Sequence, residues 1–275
     1  MTFLTCPPDH YGIEYEINPW MNKNVGTDAL LAHQQWNALY TLLTAELGIC
    51  VEQLSPVFGL PDMVFTANAG LVVGNRFLAS RFRHDVRQGE CDHYEKWFRA
   101  RGFEIVFPPP NIYFEGEGDA LWVGEKLFLG CQIRTDRAAA PWLAKELSVS
   151  VYPLELVDPR FYHLDTCFCP LDDQRVLYYP DAFSLSSQKI IKEIITCPIP
   201  IDEADALQFG ANAIVIKNHI IVNAGCHALS KTLVQEGFTV HPTDLSEFIK
   251  AGGSAKCLIL QVRDMSQTAG LGASP

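Results

Sequence analysis

The sequence predicts an α/β fold in which one strand–strand–helix–strand (ββαβ) unit recurs about five times around a common axis, and three observations carry that expectation. Five segments, residues 64–80, 114–131, 162–180, 209–226 and 252–264, share one form: a short polar turn, then a β-rich run that often returns through a tight turn into a second run. The turn residues Asn68, Asp119, Asp165, Asn212 and Cys257 mark one phase of these segments, with gaps of 51, 46, 47 and 45 residues. Helix-like stretches fill the intervals, and each ends in a short extended run. A near-constant period puts equivalent positions around an axis. The competing architecture is an ordinary mixed α/β sheet, in which so narrow a spread of gaps would be accidental.

Each element follows from the local sequence. Residues 28–47 (DALLAHQQWNALYTLLTAEL) open the chain as a helix. Gly74-Asn75, Gly124-Glu125-Lys126, Asp172-Asp173 and Lys217-Asn218-His219 are expected to turn the hairpins. Residues 91–101, 136–147, 184–196 and 227–236 read as helices, and FEIVFPP, VSVYPLEL, CPIPID and FTVHPTDL as the strands that follow them.

The 275 residues suffice for one large domain or two small ones; a single domain is expected over 1–265, with residues 266–275 (SQTAGLGASP) as a disordered tail. A net charge of −11 and the lack of a Lys/Arg block argue against a nucleic-acid partner. The acidity suits a cationic substrate, but it is also an ordinary route to solubility. No apolar run reaches the length of a membrane span, and the N-terminus lacks the basic and apolar regions of a signal peptide. The nine cysteines, scattered and odd in number, then read as reduced and mostly buried thiols of a cytoplasmic protein. Cys167 and Cys169 lack a second Cys/His pair at zinc spacing, so no metal and no cofactor are expected.

The turns at the common phase carry the chemistry. They supply Asn68, then Glu115, Glu117 and Asp119, then His163 and Asp165, then Asn212, then Cys257. A thiol, an imidazole and several carboxylate or amide acceptors can activate a nucleophile and hold a planar cation with N–H donors on every edge. Each has a plainer reading: a cysteine before a strand as core, a histidine beside a strand as structural, Asp119 as turn chemistry. Their shared phase favours the chemical one. Cys226-His227 is the rival Cys/His pair; its neighbours cannot face each other and it lies at the far end of its hairpin, which makes it structural.

The chain resembles the guanidino-group-modifying, or pentein, superfamily of arginine deiminases, dimethylarginine dimethylaminohydrolases and glycine amidinotransferases. The resemblance covers nearly the whole chain and rests on Phe65-Thr66-Ala67-Asn68, Glu115-Gly116-Glu117-Gly118-Asp119, His163-Leu164-Asp165 and Gly252-Gly253-Ser254-Ala255-Lys256-Cys257. It implies a five-bladed pseudo-symmetric α/β propeller of ββαβ units. It implies Cys257 as nucleophile, His163 as general acid/base and Glu115 as the carboxylate that orients the imidazole. The family turn is commonly Glu-Gly-Gly-Asp, so Glu115 and Glu117 compete for that last role. Asp165 would hold guanidinium nitrogens, with Asp119 a further acidic contact, and Arg134 and Arg87 would grip the substrate carboxylate.

Deiminases and dimethylaminohydrolases usually carry Asp where this sequence has Asn68. That asparagine and Glu16-Ile17-Asn18-Pro19-Trp20-Met21 look closest to the cyanobacterial-type arginine dihydrolases, with Asn18 a further substrate contact. The resemblance thus implies conversion of arginine to ornithine, ammonia and carbon dioxide. Dimethylarginine dimethylaminohydrolase and arginine deiminase are the nearest alternatives, amidino transfer a more distant one, and a non-catalytic binding propeller the alternative of another class. The expected partner is a small molecule; neither nucleic acid nor membrane is expected, and a homo-oligomer is compatible with the sequence.

Overall fold

In the computed structural model, residues 1–262 are described, and they form five three-stranded sheets. The strands in chain order are β1 (Thr2–Thr5), β2 (Cys50–Gln53), β3 (Gly70–Val73), β4 (Arg76–Ala79), β5 (Glu104–Val106), β6 (Ala120–Val123), β7 (Lys126–Cys131) and β8 (Val151–Glu155). They continue as β9 (Phe168–Pro170), β10 (Arg175–Tyr178), β11 (Cys197–Pro200), β12 (Ile214–Ile216), β13 (His219–Asn223), β14 (Thr239–Thr243) and β15 (Leu260–Val262).

Four blades are contiguous in sequence: β3–β5, β6–β8, β9–β11 and β12–β14. In each, an antiparallel hairpin is followed by a helix and a third strand that pairs parallel to the second. A parallel pair needs a crossover, and the helix supplies it. The helices are Cys91–Arg99, Ala139–Leu147, Leu185–Ile194 and His227–Gln235, inside the expected stretches. The third helix starts where the Ser184 side chain accepts from the Ser187 N–H, an N-cap that satisfies an otherwise orphaned donor.

The fifth blade joins the two ends of the described chain. β15 pairs antiparallel with β1, and β1 pairs parallel with β2 across the helix Ala29–Thr41. Asp28 caps that helix through the Leu31 N–H at 3.1 Å. The molecule is therefore a five-bladed pseudo-symmetric α/β propeller, and the ββαβ order read from the sequence holds around the ring. Apolar residues of adjacent blades merge between the sheets, as in the cluster of Phe128, Phe161, Phe168, Leu177, Ile220 and Val222.

The expected tail, 266–275, lies outside the described residues. Among the described residues no helix is long and apolar enough to cross a membrane, and no group of three or more His, Cys, Asp or Glu could hold a metal ion. All nine cysteines are free, with Cys50 and Cys197 exposed and Cys257 among the buried ones. Cys226 is buried with its thiol toward the carbonyls of Asp205 and Gln208, as a structural residue would be.

Candidate active site

The polar turns precede the first strand of each blade and lie at the strand ends opposite the hairpin turns. Asn68, Asp165 and Cys257 sit in single 3₁₀ turns (Thr66–Ala69, Leu164–Thr166 and Lys256–Leu258), and Asp119 closes a fourth, Gly116–Gly118. Gly116 is left-handed at φ +60°, and a Cβ there would meet the Gly70 backbone at 2.6 Å. At Gly118 a Cβ would lie 2.3 Å from Asn68 Nδ2 and 3.3 Å from His163 Cγ. These glycines let the acidic turn pass beneath the neighbouring blade without filling the site.

The thiol of Cys257 lies 3.2 Å from Asp165 Oδ2 and receives the Asn212 amide N–H at 3.1 Å. Asn212 also accepts the backbone N–H groups of Ser254 and Cys257, which fixes the turn that presents the sulfur. Burial and the neighbouring Asp165 charge push the Cys257 thiol well above its ordinary pKa. Asp165 itself is pushed up to about 7 by burial, with Lys256 the strongest opposing influence. Asp165 Oδ1 has no hydrogen-bond partner among the described residues.

The imidazole is held from both sides. His163 Nε2 lies 2.7 Å from Glu115 Oε2, and Nδ1 lies 3.4 Å from Asn68 Nδ2. Burial pulls the His163 pKa down to about 4 although Glu115 pulls the other way. Glu115 is buried, which alone would raise its pKa, yet Arg134 and His163 hold it well below the usual carboxylate range. An ionised Glu115 accepts only, so its partners assign the proton of neutral His163 to Nε2 and leave Nδ1 as the acceptor. The Asn68 amide is oriented to match, because Arg87 Nη1 donates to its oxygen at 2.8 Å.

The competition between Glu115 and Glu117 is resolved geometrically. Glu115 pairs with His163, whereas Glu117 Oε2 accepts from Lys256 Nζ at 2.9 Å and from the Gln261 N–H at 3.1 Å. Asp119 is buried and accepts the Leu164 N–H at 3.0 Å, bracing the turn between His163 and Asp165. The two arginines are buried and committed to protein partners. Arg134 donates to Glu115 at 3.1 Å and to the Ile17 carbonyl at 2.9 Å, and lies over the Tyr162 ring. Arg87 grips Glu90 through Nε and Nη2 at 2.7 and 2.9 Å and donates to the Asp62 carbonyl. Asn18 joins the N-terminal loop to the Ala251 carbonyl at 3.0 Å, and Trp20 Nε1 donates to the Arg160 carbonyl at 2.7 Å.

Two members of this cluster were missed by sequence reasoning. Asp62 is 1% exposed with its carboxylate 3.8 Å from Arg87, and Glu90 is fully buried against the same arginine. Neither falls at the phase of the repeat; the signal for Glu90 was its spacing of three from Arg87 on a helical stretch. Around the site six carboxylates (Asp62, Glu90, Glu115, Glu117, Asp119, Asp165) outnumber three cations (Arg87, Arg134, Lys256). Such a site accommodates a cationic ligand with N–H donors.

Comparison with known proteins gives the family. The family described as "N,N dimethylarginine dimethylhydrolase, eukaryotic" matches residues 14–264. The bifunctional arginine dihydrolase/ornithine cyclodeaminase AgrE of Nostoc sp. is 45% identical over 268 residues, covering 95% of this chain but 38% of AgrE. The chain thus spans under two fifths of the length of this relative. An N(G),N(G)-dimethylarginine dimethylaminohydrolase of Mycobacterium tuberculosis is 38% identical over 260 residues, covering 94% of this chain and 85% of that protein. Among solved structures, the N-terminal domain of ArgZ bound to product, an arginine dihydrolase from the ornithine–ammonia cycle in cyanobacteria, superimposes with a TM-score of 0.91. It is 43% identical, with 96% of this chain and 97% of that one covered. With the propeller, the order of its turns and these relatives in agreement, the chain belongs to the dimethylarginine dimethylaminohydrolase family of the guanidino-group-modifying, or pentein, superfamily.

Proposed function

We propose that this chain hydrolyses the guanidino group of free arginine to ornithine, two molecules of ammonia and carbon dioxide, with Cys257 as nucleophile. The observation that carries the reading is the amide of Asn68, held by Arg87 through its oxygen and turned with its nitrogen toward His163 Nδ1. Similarity to AgrE and ArgZ supports the same substrate.

The Cys257 thiol donates to Asp165, and burial favours its neutral form. A guanidinium entering beside Asp165 supplies the positive charge that favours both the carboxylate and the thiolate. The thiolate attacks the guanidinium carbon, and a proton passed through His163 leaves with the first ammonia, giving an S-alkylthiouronium. Water, deprotonated by neutral His163, displaces the sulfur and leaves a ureido group. A second thiolate attack expels the second ammonia and leaves a thiocarbamate; its hydrolysis gives a carbamate that breaks down to ornithine and carbon dioxide. Glu115 holds the ring in the tautomer that these steps need.

Asn68 distinguishes the two half-reactions. A carboxylate there would attract guanidinium and repel a ureido oxygen, whereas an amide offers donors as well as an acceptor. Among the similar structures, the N-terminal domain of an Asn→Ser variant of ArgZ is covalently bound to a reaction intermediate. Cys257 is 2% exposed and shares a buried apolar cluster with Met21, against which Ile17 packs.

The second reading, dimethylarginine dimethylaminohydrolase, is favoured by the family match and the mycobacterial relative. Mass-spectrometric product analysis with arginine, citrulline and dimethylarginine decides between them. Ornithine with two equivalents of ammonia from arginine supports the dihydrolase. Citrulline as end product, or dimethylamine from the methylated substrate, overturns it.

A further inference from the structure

A cavity of about 340 Å³ lies outside the site of Cys257 and His163. It reaches from the hairpin-turn residues Gly124, Asp173 and Lys217 down to Glu117 and Lys256. The ion pair of those two residues floors the cavity, and the thiol lies one residue beyond it.

That pair joins two turns the chemistry depends on. Lys256 opens the 3₁₀ turn containing Cys257, and Glu117 lies two residues from Glu115, the partner of His163. The 2.9 Å contact between them crosses from the second contiguous blade to the blade closed by the chain ends. A second strap runs beside it, from the Gln261 N–H to the same carboxylate oxygen.

We propose that Lys256, held by Glu117, is a positioning residue for guanidinium binding: it fixes the thiol-bearing turn against the imidazole-bearing half of the site and sets the field in which Asp165 works. The inference rests on the reading of Asp165 as a guanidinium ligand. Asp165 is faced by Lys256 and Cys257 from one turn, by Glu117 and Asp119 from another, by Asn212 from a third, and by Tyr162, Cys167 and Cys169 along its own segment. Among these Lys256 is the only fixed cation. Burial lifts Asp165 to about 7, Lys256 opposes that rise most strongly, and Glu117 adds to it. Removing the lysine and removing the glutamate charge therefore act on Asp165 in opposite directions, which a purely structural strap would not do.

The test measures arginine affinity by calorimetry across pH in a Cys257→Ser background, so that turnover does not intervene. Lys256→Met is expected to move the acid limb of binding upward by about one unit, weakening affinity about tenfold at pH values below the limb. Glu117→Gln is expected to move the limb downward, and Lys256→Arg to leave it near its original place. Limbs that stay put in both charge-removing variants, or that move the same way, overturn the proposal. If Lys256→Met does not fold, Glu117→Gln and Lys256→Arg still decide it: an unmoved limb in the first overturns the proposal. A Cys257→Ser protein that binds no arginine at any pH instead overturns the functional reading on which the inference rests.

Discussion

Exchanging Asn68 for aspartate replaces two N–H donors with a charged acceptor at the point where the amide nitrogen lies 3.4 Å from His163 Nδ1. A carboxylate at that distance attracts the imidazolium by about 5 kcal/mol at an effective dielectric of about 20, or roughly 3.5 pH units in favour of the protonated ring. Arg87, already 2.8 Å from the other side-chain oxygen, draws off part of this attraction. Burying another carboxylate takes up more, and a net rise of about 2 units is expected. His163, held down to about 4 in the native site, would then titrate close to neutrality. The fraction of rings protonated at the start of each hydrolytic step rises, that fraction cannot act as base for water, and the carboxylate repels the ureido oxygen. The ratio of ornithine to citrulline should fall by about tenfold, a cost of about 1.4 kcal/mol to the second half-reaction. Mass spectrometry reads the products, and an NMR titration of the labelled imidazole reads the ring. A ring that titrates unchanged refutes the electrostatic argument, and an undiminished ornithine fraction refutes the assignment of Asn68 to the second step.

Other outcomes follow from the same contacts. Glu115→Gln removes the charge that fixes the His163 tautomer and leaves Arg134 without its ion-pair partner; steady-state ammonia release should drop by about 10²-fold or more. Gly118→Ala forces a methyl within 2.3 Å of Asn68 Nδ2, so activity should fall together with a destabilisation of about 1–3 kcal/mol in urea unfolding. Because burial raises Asp165 to about 7, its ionised form is present above that pH and lost below it. The kcat/KM for arginine should therefore decline as pH drops through neutrality, and a profile flat down to about pH 5, near the ordinary carboxylate range, would contradict a guanidinium ligand at this position.

Much of the ring was legible because its signals are local. Turn chemistry, alternating apolar runs and helix-like intervals recur at a spacing the chain cannot hide, and the five sheets follow it. The fifth blade was half legible. The run after Cys257 and the opening helix fitted the scheme, but the strand between them in the sheet, Thr2–Thr5, is four residues long and pairs with partners at opposite ends of the chain. Period alone says nothing of such pairing. At the site, Cys257, His163, Asn68 and Asp165 share a phase, so their convergence could be read. What Arg87 and Arg134 touch could not: a sequence shows an arginine, while burial against Glu90 and Glu115 depends on how blades pack. Asp62 escaped for the same reason, and the split between Glu115 and Glu117 was settled only by which side of the ring each carboxylate faces.

Closure by β1 also has a consequence for biogenesis. Of the strands in this ring, β1 is made first and must wait for β15, made some 255 residues later, before its sheet is complete. The turn bearing Cys257 leads directly into β15. The four contiguous blades each hold all their own strands, whereas the turn bearing Cys257 belongs to the one blade that needs both β1 and β15. The Cys257 turn is thus anchored to its sheet only where β1 and β15 pair, so ring closure and the placing of that thiol are one event.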